Sequence, residues 1–452
     1  MENHAENQQI EHARHLLRHE RMEQAKRLTF HYALIQSFFW MGYTSIRSYT
    51  TPFLTDNGLS YSVIGILYAV ASIGSVLLQT ELSDLLDRSK KFHLKNITLT
   101  LVAIVLLLGG WLLIFNIADV TAPMLTGILY VIMLIILYVL QPLITSLCYL
   151  FINHGFPLNF GLARGIGSVC CAAINVLIGN LVVRFGSGII FYPLLLFFFL
   201  LVVMILTFRV KGVHIHSHKP IEFHLQTEEG EKTVTSEDVK KHVEAAAQKA
   251  KEAKNANTLE FLRRNPMFLF FLIASFCSMT AYQSINSYLI TIAERVGGNS
   301  RTVGYCFAIS AASELPSMAG FNWLRKKIGV TKVLRISAFF YIMKPLLMFL
   351  ATTESMLFVA ALMQMGAFGL FLPGSAYFAN QAVSQTDRVK AQALVSTATI
   401  GLAMTVGSLL GGFIIDQLGV TNFLIFCISF AVIGFIVMFL IMNRYDKVKK
   451  IK

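Results

Sequence analysis

Apolar runs of about 20 residues recur along this chain, and a run of that length spans the hydrocarbon core of a bilayer as an α-helix. LVAIVLLLGGWLLIF (101–115) and FYPLLLFFFLLVVMILTF (191–208) are two of them. Lipid offers no partners to backbone N–H and C=O groups, so a spanning segment must be a helix or part of a closed barrel. Runs this long select helices. The expected fold is therefore an all-α polytopic membrane protein with twelve transmembrane helices near 29–54, 61–81, 95–117, 123–151, 161–183, 188–209, 265–291, 301–324, 331–352, 355–381, 388–416 and 420–442.

The polar remainder sets the domain plan: a tail (1–28), a six-helix half (29–209), a linker (210–264), a second six-helix half (265–442) and a tail (443–452). In the first tail Leu16, Leu17, Met22 and Ala25 fall at partly helical spacing, which allows a short surface helix. Within the linker SEDVKKHVEAAAQKAKEAKNANT reads as a surface helix, with Ser236 as N-cap, acids in the first turn and lysines after. The linker histidines His214, His216 and His218 alternate in a solvated stretch, and no metal is expected there. The six cysteines fall in apolar runs without zinc or redox spacing and read as small packing residues.

A net charge of +13 would suit a nucleic-acid binder, but its distribution argues against one. Of the 38 Lys and Arg residues, Arg47, Arg164 and Lys344 fall within spans, and only Arg184, Arg295 and Arg301 fall in loops on one side. The rest face the other side, which is the positive-inside pattern. Both termini are expected in the cytoplasm, and the protein in the cell membrane with lipid as its surroundings. There is no Walker loop, HExxH or GxSxG, so neither an ATP-driven pump nor an enzyme is indicated, and no cofactor.

Internal repetition decides the architecture. GLSYSVIG (58–65) and GGNSRTVG (297–304) lie 239 residues apart, as do SDLLDRSKK (83–91) and NWLRKKIGV (322–330). GNLVVRFG (179–186) and GFIIDQLG (412–419) lie 233 apart. A near-constant offset at three places makes the halves two six-helix pseudo-repeats, and parallel repeats put a substrate site near the bilayer midplane between them.

Four charges within the predicted spans are the candidates for function. Glu314, in an otherwise apolar eighth span, is the leading candidate for proton coupling and for substrate binding, because a charge at mid-bilayer costs about 2.5 to 3.5 kcal/mol on insertion scales. Pro316 is expected to bend that helix beside it. Lys344, before Pro345 in the ninth span, is a candidate partner of Glu314 and a second proton-coupling residue, or half of a structural ion pair. Arg164, near the start of the fifth span, offers a planar fork of donors suited to hydroxyls or carboxylates, or reaches back to the interface. Arg47 in the first span pairs with Asn286 through the 239-residue offset, so both are candidate substrate-binding residues on opposite sides of one cavity. Either could instead satisfy carbonyls at a bend near Pro52. Trp40, Tyr43, Tyr49 and Tyr282 could stack on a sugar ring, although aromatic residues in spans usually pack. Gly161/Gly165 and Gly407/Gly411 form small-residue faces that allow close helix contact.

The two halves resemble those of the major facilitator superfamily. The family's signature between helices 2 and 3 is G-x-x-x-D-R/K-x-G-R/K-R/K, and Ser83-x-x-x-Asp87-Arg88-x-Lys90-Lys91-Phe92 is similar to it, with Ser83 and Lys90 in place of glycines. The second copy keeps Lys327 and Gly329, with Lys326 at the acidic position. The resemblance implies a gating loop at Asp87, Arg88, Lys327 and Gly329.

Among its branches the chain looks most like the oligosaccharide/proton symporters that include lactose permease. NFGLARGIGSV (159–169) places Arg164 on the arginine that binds sugar hydroxyls, Glu314 falls on a sugar-binding acid and Lys344 on a cation of the proton network. Gln283 and Asn286 replace two acids of that branch, Gln364 and Ala367 stand around its His/Glu pair, and no lysine lies near Ile400. The resemblance implies alternating-access symport of a sugar or similar small polar solute with protons, by a monomer. Three intramembrane cations against one acid point the other way, to a small organic anion such as a sugar acid or aromatic acid. A solute sensor or a uniporter is the further alternative.

Overall fold

Each apolar run becomes a helix in the computed structural model of the chain, which describes residues 2–88, 94–153, 158–208, 258–384 and 387–451. The first half holds α1 (Glu2–Arg47, resuming as Thr50–Asp56), α2 (Tyr61–Arg88), α3 (Leu94–Ile117), α4 (Pro123–Asn153), α5 (Phe160–Phe185) and α6 (Phe191–Thr207). After a short helix, Thr258–Arg264, come α7 (Pro266–Ser287, resuming as Leu289–Arg295), α8 (Ser300–Ile328) and α9 (Val330–Leu350). A 3-10 turn, Met363–Met365, joins the two segments of α10, Glu354–Leu362 and Phe368–Ala382. Next, Arg388–Ser396 passes through a π-helical turn, Thr397–Leu402, into Ala403–Ile451, which Gly419 divides into α11 and α12.

Nine helical stretches among the described residues are long and apolar enough to cross a membrane, the last of them containing both α11 and α12. The two spans outside that set are α1 and α8. They carry Arg47 and Glu314, neither of which is exposed. With them the twelve-helix, two-repeat fold expected from the sequence is present.

Several boundaries differ from expectation. The first helix begins at Glu2, so the stretch read as a separate tail is continuous with the first span. Pro316, expected to bend α8, lies inside a helix that continues to Ile328. A break interrupts α1 between Arg47 and Thr50, just before the bend read near Pro52, and α7 breaks at Tyr288, near the matching repeat position, where no break was expected. The linker helix after Ser236, the alternating histidines and loop residues 89–93 lie outside the described residues.

Local chemistry ends the helices. Asn159 caps α5 by accepting from Leu162 N at 2.9 Å, and Asn299 and Thr302 form a capping box at the start of α8. Arg295 donates to the carbonyls of Met348 and Phe349 at 2.7 and 2.8 Å, closing the C-terminus of α9. Turns between spans use the left-handed glycines Gly58 and Gly297, and Gly186 and Gly419, which are repeat partners.

The halves meet along two seams, α2 against α11 and α5 against α8. At these seams glycine lets backbones touch: a Cβ on Gly65 would lie 2.5 Å from Ser408 O, and one on Gly304 would lie 2.4 Å from Asn175 O. Tyr49 donates to Asn175 O and Tyr288 to Ser408 O, both at 2.7 Å. The two tyrosines are repeat partners, as are the two acceptors. Asp416 adds a contact at only one seam, accepting from Tyr61 N at 3.2 Å and Ser62 N at 2.6 Å at the N-terminus of α2. These contacts lie at the end of the bundle remote from the chain termini and at mid-depth.

Candidate functional site

The second half gathers Glu314, Lys344 and a residue not singled out as a candidate, Gln364. Lys344 projects from α9 and is 3 % exposed, and Gln364 sits on the 3-10 turn of α10 and is 1 % exposed. Lys344 Nζ donates to Gln364 Oε1 at 2.7 Å, and Gln364 Nε2 donates to Glu314 Oε1 at 2.7 Å and to the Tyr282 hydroxyl at 3.0 Å. Among the described residues no ion pair joins Glu314 directly to Lys344; the amide stands between them. Both ends of the glutamine are thereby used, its oxygen by a cation and its nitrogen by an anion. The lysine also lies 5.3 Å from the Tyr282 ring, which stacks on Phe368 at 5.1 Å. The tyrosine ring is therefore part of the packing, while its hydroxyl joins the polar cluster.

In the first half, Arg164 stacks its guanidinium over Trp40 at 3.9 Å. A chain of hydrogen bonds fixes that indole: Trp40 Nε1 to Gln36 Oε1 at 2.8 Å, Gln36 Nε2 to the Tyr32 hydroxyl at 2.5 Å, and that hydroxyl to Ile144 O at 3.1 Å. Arg164 is not drawn back to the interface. Glu314 is among the groups whose charge acts on it. Two turns along α5, Cys171 receives or donates a hydrogen bond with Thr44 at 3.0 Å, as one of the packing cysteines with a polar partner.

Arg47 closes the first segment of α1, and the chain break just beyond it leaves the guanidinium between the halves. It reaches the Tyr68 hydroxyl and the Ser287 hydroxyl, both at 3.4 Å, and lies 4.9 Å from the Tyr68 ring. Thr51 crosses beside it to Ser287 O at 2.5 Å. Asn286, the repeat partner of Arg47, turns instead to the Tyr282 hydroxyl. The two repeat partners thus have different hydrogen-bond partners. Tyr49 is fully buried at a seam, where it packs rather than faces the gap.

The expected gating loop is only partly described. Asp87 and Arg88 end α2, and their side chains lie outside the described residues. Lys327 lies 5.0 Å from the Trp323 ring, and Gly329 takes φ 85° between α8 and α9. Sequence reasoning passed over Gln364, Tyr68 and Tyr138. For Gln364 a signal existed, an amide within an apolar span; for the two tyrosines nothing separates them from packing residues.

The profile of the family described as "MFS_1 like family" matches residues 30–443. An uncharacterized transporter, YwbF, of Bacillus subtilis (strain 168) is 25 % identical over 158 residues, which cover 34 % of this chain and 39 % of that protein. The maltose permease of Geobacillus stearothermophilus is 23 % identical over 177 residues, 39 % of this chain and 45 % of the permease. Both alignments span less than half the length of these relatives. Among solved structures, the nucleoside transporter NupG superposes with a TM-score of 0.69 at 17 % identity, covering 92 % of this chain and 99 % of its own. A bacterial homologue of the lysosomal transporter Spinster in an inward-facing conformation gives 0.65 at 14 % identity, covering 94 % and 98 %. At these identities the likeness is one of fold.

Proposed function

Since the chain belongs to the MFS_1 like family, a family of membrane transporters, we propose that it is a secondary active transporter that moves a sugar or similar small polar solute together with protons by alternating access. The observation that carries this reading is the Glu314–Gln364–Lys344 cluster. A carboxylate and an ammonium held apart by a neutral amide form a site whose charge balance changes when either gains or loses a proton. Arg164, whose charge interacts with that of Glu314, adds a second cation to the same balance. A solute whose hydroxyls replace the amide at Glu314 would alter that acid's hold on its proton, which is the linkage symport requires. The similarity to a maltose permease supports a sugar-like solute.

The positive-inside pattern supports cytoplasmic termini, and in that orientation both closed seams lie on the outer side of the membrane. The state described would then be closed to the outside. Asp87, Arg88, Lys327 and Gly329 remain our proposed gating residues on the cytoplasmic side.

A second reading has its own observation. Arg47 touches hydroxyls and an aromatic ring but no carboxylate among the described residues, which favours a solute that brings a negative charge. The test of the first reading is solute-dependent acidification inside proteoliposomes that carry a pH dye. A sugar signal lost in Glu314→Gln supports symport; a signal confined to acids favours the anion; unchanged proton movement in Glu314→Gln removes that residue from the coupling. Binding without flux would favour a sensor, and flux without acidification a uniporter.

A further inference from the structure

Tyr138 on α4 is 9 % exposed, and its hydroxyl is buried with no hydrogen-bond partner. A buried phenol O–H without an acceptor is costly, and native structures rarely leave one so unless something else occupies the place. Its surroundings suggest what that is. The charge of Arg47 acts on Tyr138, Tyr68, Tyr43, Tyr282, Tyr130 and Tyr288, all phenols. The rings of Tyr138 and Tyr43 lie 6.3 Å apart, with Tyr43 one turn before Arg47 on α1. Arg47 itself is under-used: of its five N–H donors, the two hydrogen bonds given to side chains, to Tyr68 and Ser287, are both long at 3.4 Å. The hydroxyls there accept as well as donate, but none of the described groups around this cation carries a negative charge. Glu314, which could have supplied the missing charge, is bound to Gln364.

We propose that Arg47, Tyr138, Tyr68 and Ser287 form a subsite for an oxyanion, a carboxylate or phosphate group carried by the solute. The subsite spans both halves, because Arg47, Tyr68 and Tyr138 belong to the first and Ser287 to the second. An oxyanion there would accept from the guanidinium and from the orphan phenol together, and would hold the halves in the present arrangement. Combined with the polar cluster at Glu314, Gln364 and Lys344, the subsite selects a hydroxylated solute with one acidic group. This deepens the anion reading above and rests on it only for the word solute, since binding of an oxyanion is measurable without transport.

The experiment is thermal unfolding of the purified full-length protein in nanodiscs, titrated with sodium acetate, glucuronate or phosphate against sodium chloride at matched ionic strength. Ligand binding to the folded state raises the melting temperature with concentration and yields an apparent Kd. We expect at least one oxyanion to stabilise the protein; a response to acetate and glucuronate marks a carboxylate site, and one to phosphate alone a phosphate site. Tyr138→Phe should weaken that apparent affinity about tenfold, as for loss of a hydrogen bond to a charged group, and Arg47→Gln more. Because the hydroxyl is unpartnered without ligand, Tyr138→Phe should not lower the melting temperature in chloride. Tyr130→Phe is the control: its hydroxyl already donates to Ile46 O at 3.1 Å, so this change should cost stability and leave the oxyanion response intact. The general stabilising effect of phosphate acts on every variant alike, so only the part lost in Tyr138→Phe counts.

The proposal is overturned if no oxyanion stabilises the wild type beyond chloride, which would mean that water alone fills the place. It is equally overturned if Tyr138→Phe and Arg47→Gln respond as the wild type does. Oxyanion binding without flux in proteoliposomes would sink the transport reading and leave the subsite standing.

Discussion

Gln364 can donate only through its nitrogen and accept only through its oxygen, and the fold sets these ends against a carboxylate and an ammonium. Leucine there would leave two buried charges without their main partner, so Gln364→Leu should lower stability by about 3 kcal/mol, the usual cost of breaking a buried charged contact from one side. Adding Lys344→Met should return part of that loss, because an orphaned ammonium is worse than a thioether in an apolar pocket. Melting curves of the two single variants and the double variant check this, and strict additivity would show that the amide does not couple them. At this scale the sequence was only half legible. Glu314 stands out because a lone acid in an apolar run needs a reason. Gln364 could be seen but not weighed, since an amide costs little to insert and its two charged partners lie 50 and 20 residues away in the chain. Tyr138 could not be seen at all, because an orphan hydroxyl is a property of its surroundings.

Among the helices, the repeat read from spaced glycines reappears as geometry. Tyr49 and Tyr288 stand beside the breaks in α1 and α7 and make the same main hydrogen bond at the same length, each within its own half, and Tyr288 adds only a long 3.4 Å contact to Tyr61 O across the seam. Removing either hydroxyl should therefore cost about the same, roughly 1 kcal/mol, in Tyr49→Phe and Tyr288→Phe. A large inequality in their melting temperatures would show that the halves are not equivalent at this depth. Asp416 is where the symmetry fails, since the repeat partner of this acid is Val183. A carboxylate on the first N–H groups of a helix adds charge to a dipole, so Asp416→Asn should loosen the α2–α11 seam and leave α5–α8 unchanged. Proton exchange at the first turn of α2, faster in the variant than at the start of α8, would report it. The breaks were unevenly legible: Pro52 marks a bend in the first span, close to the opening after Arg47, whereas no proline or glycine marks the one at Tyr288.

For the molecule as a whole, alternating access requires that the seams closed here can open while the opposite end closes. The closure depends on glycine. A Cβ on Gly412 would sit 2.1 Å from Tyr61 O, and the atom it meets is backbone, which cannot swing aside as a side chain can. Leucine at that position is compatible with a helix but not with this seam, so Gly412→Leu should fold and populate the state open at the end remote from the termini. Spin labels test this. Asp56→Cys and Asn422→Cys place one label on each half at the closed end, and Ser146→Cys with Gln381→Cys place a pair at the other, all four positions being exposed. In the Gly412→Leu background the first pair should move apart and the second pair together, because rigid halves that rock about a midplane site must exchange one opening for the other. If both distances stay as in the wild type, the seam yields locally and the halves do not rock. If only the first pair moves, the closed end frays without coupling to the opposite face, and alternating access loses its structural support in this chain.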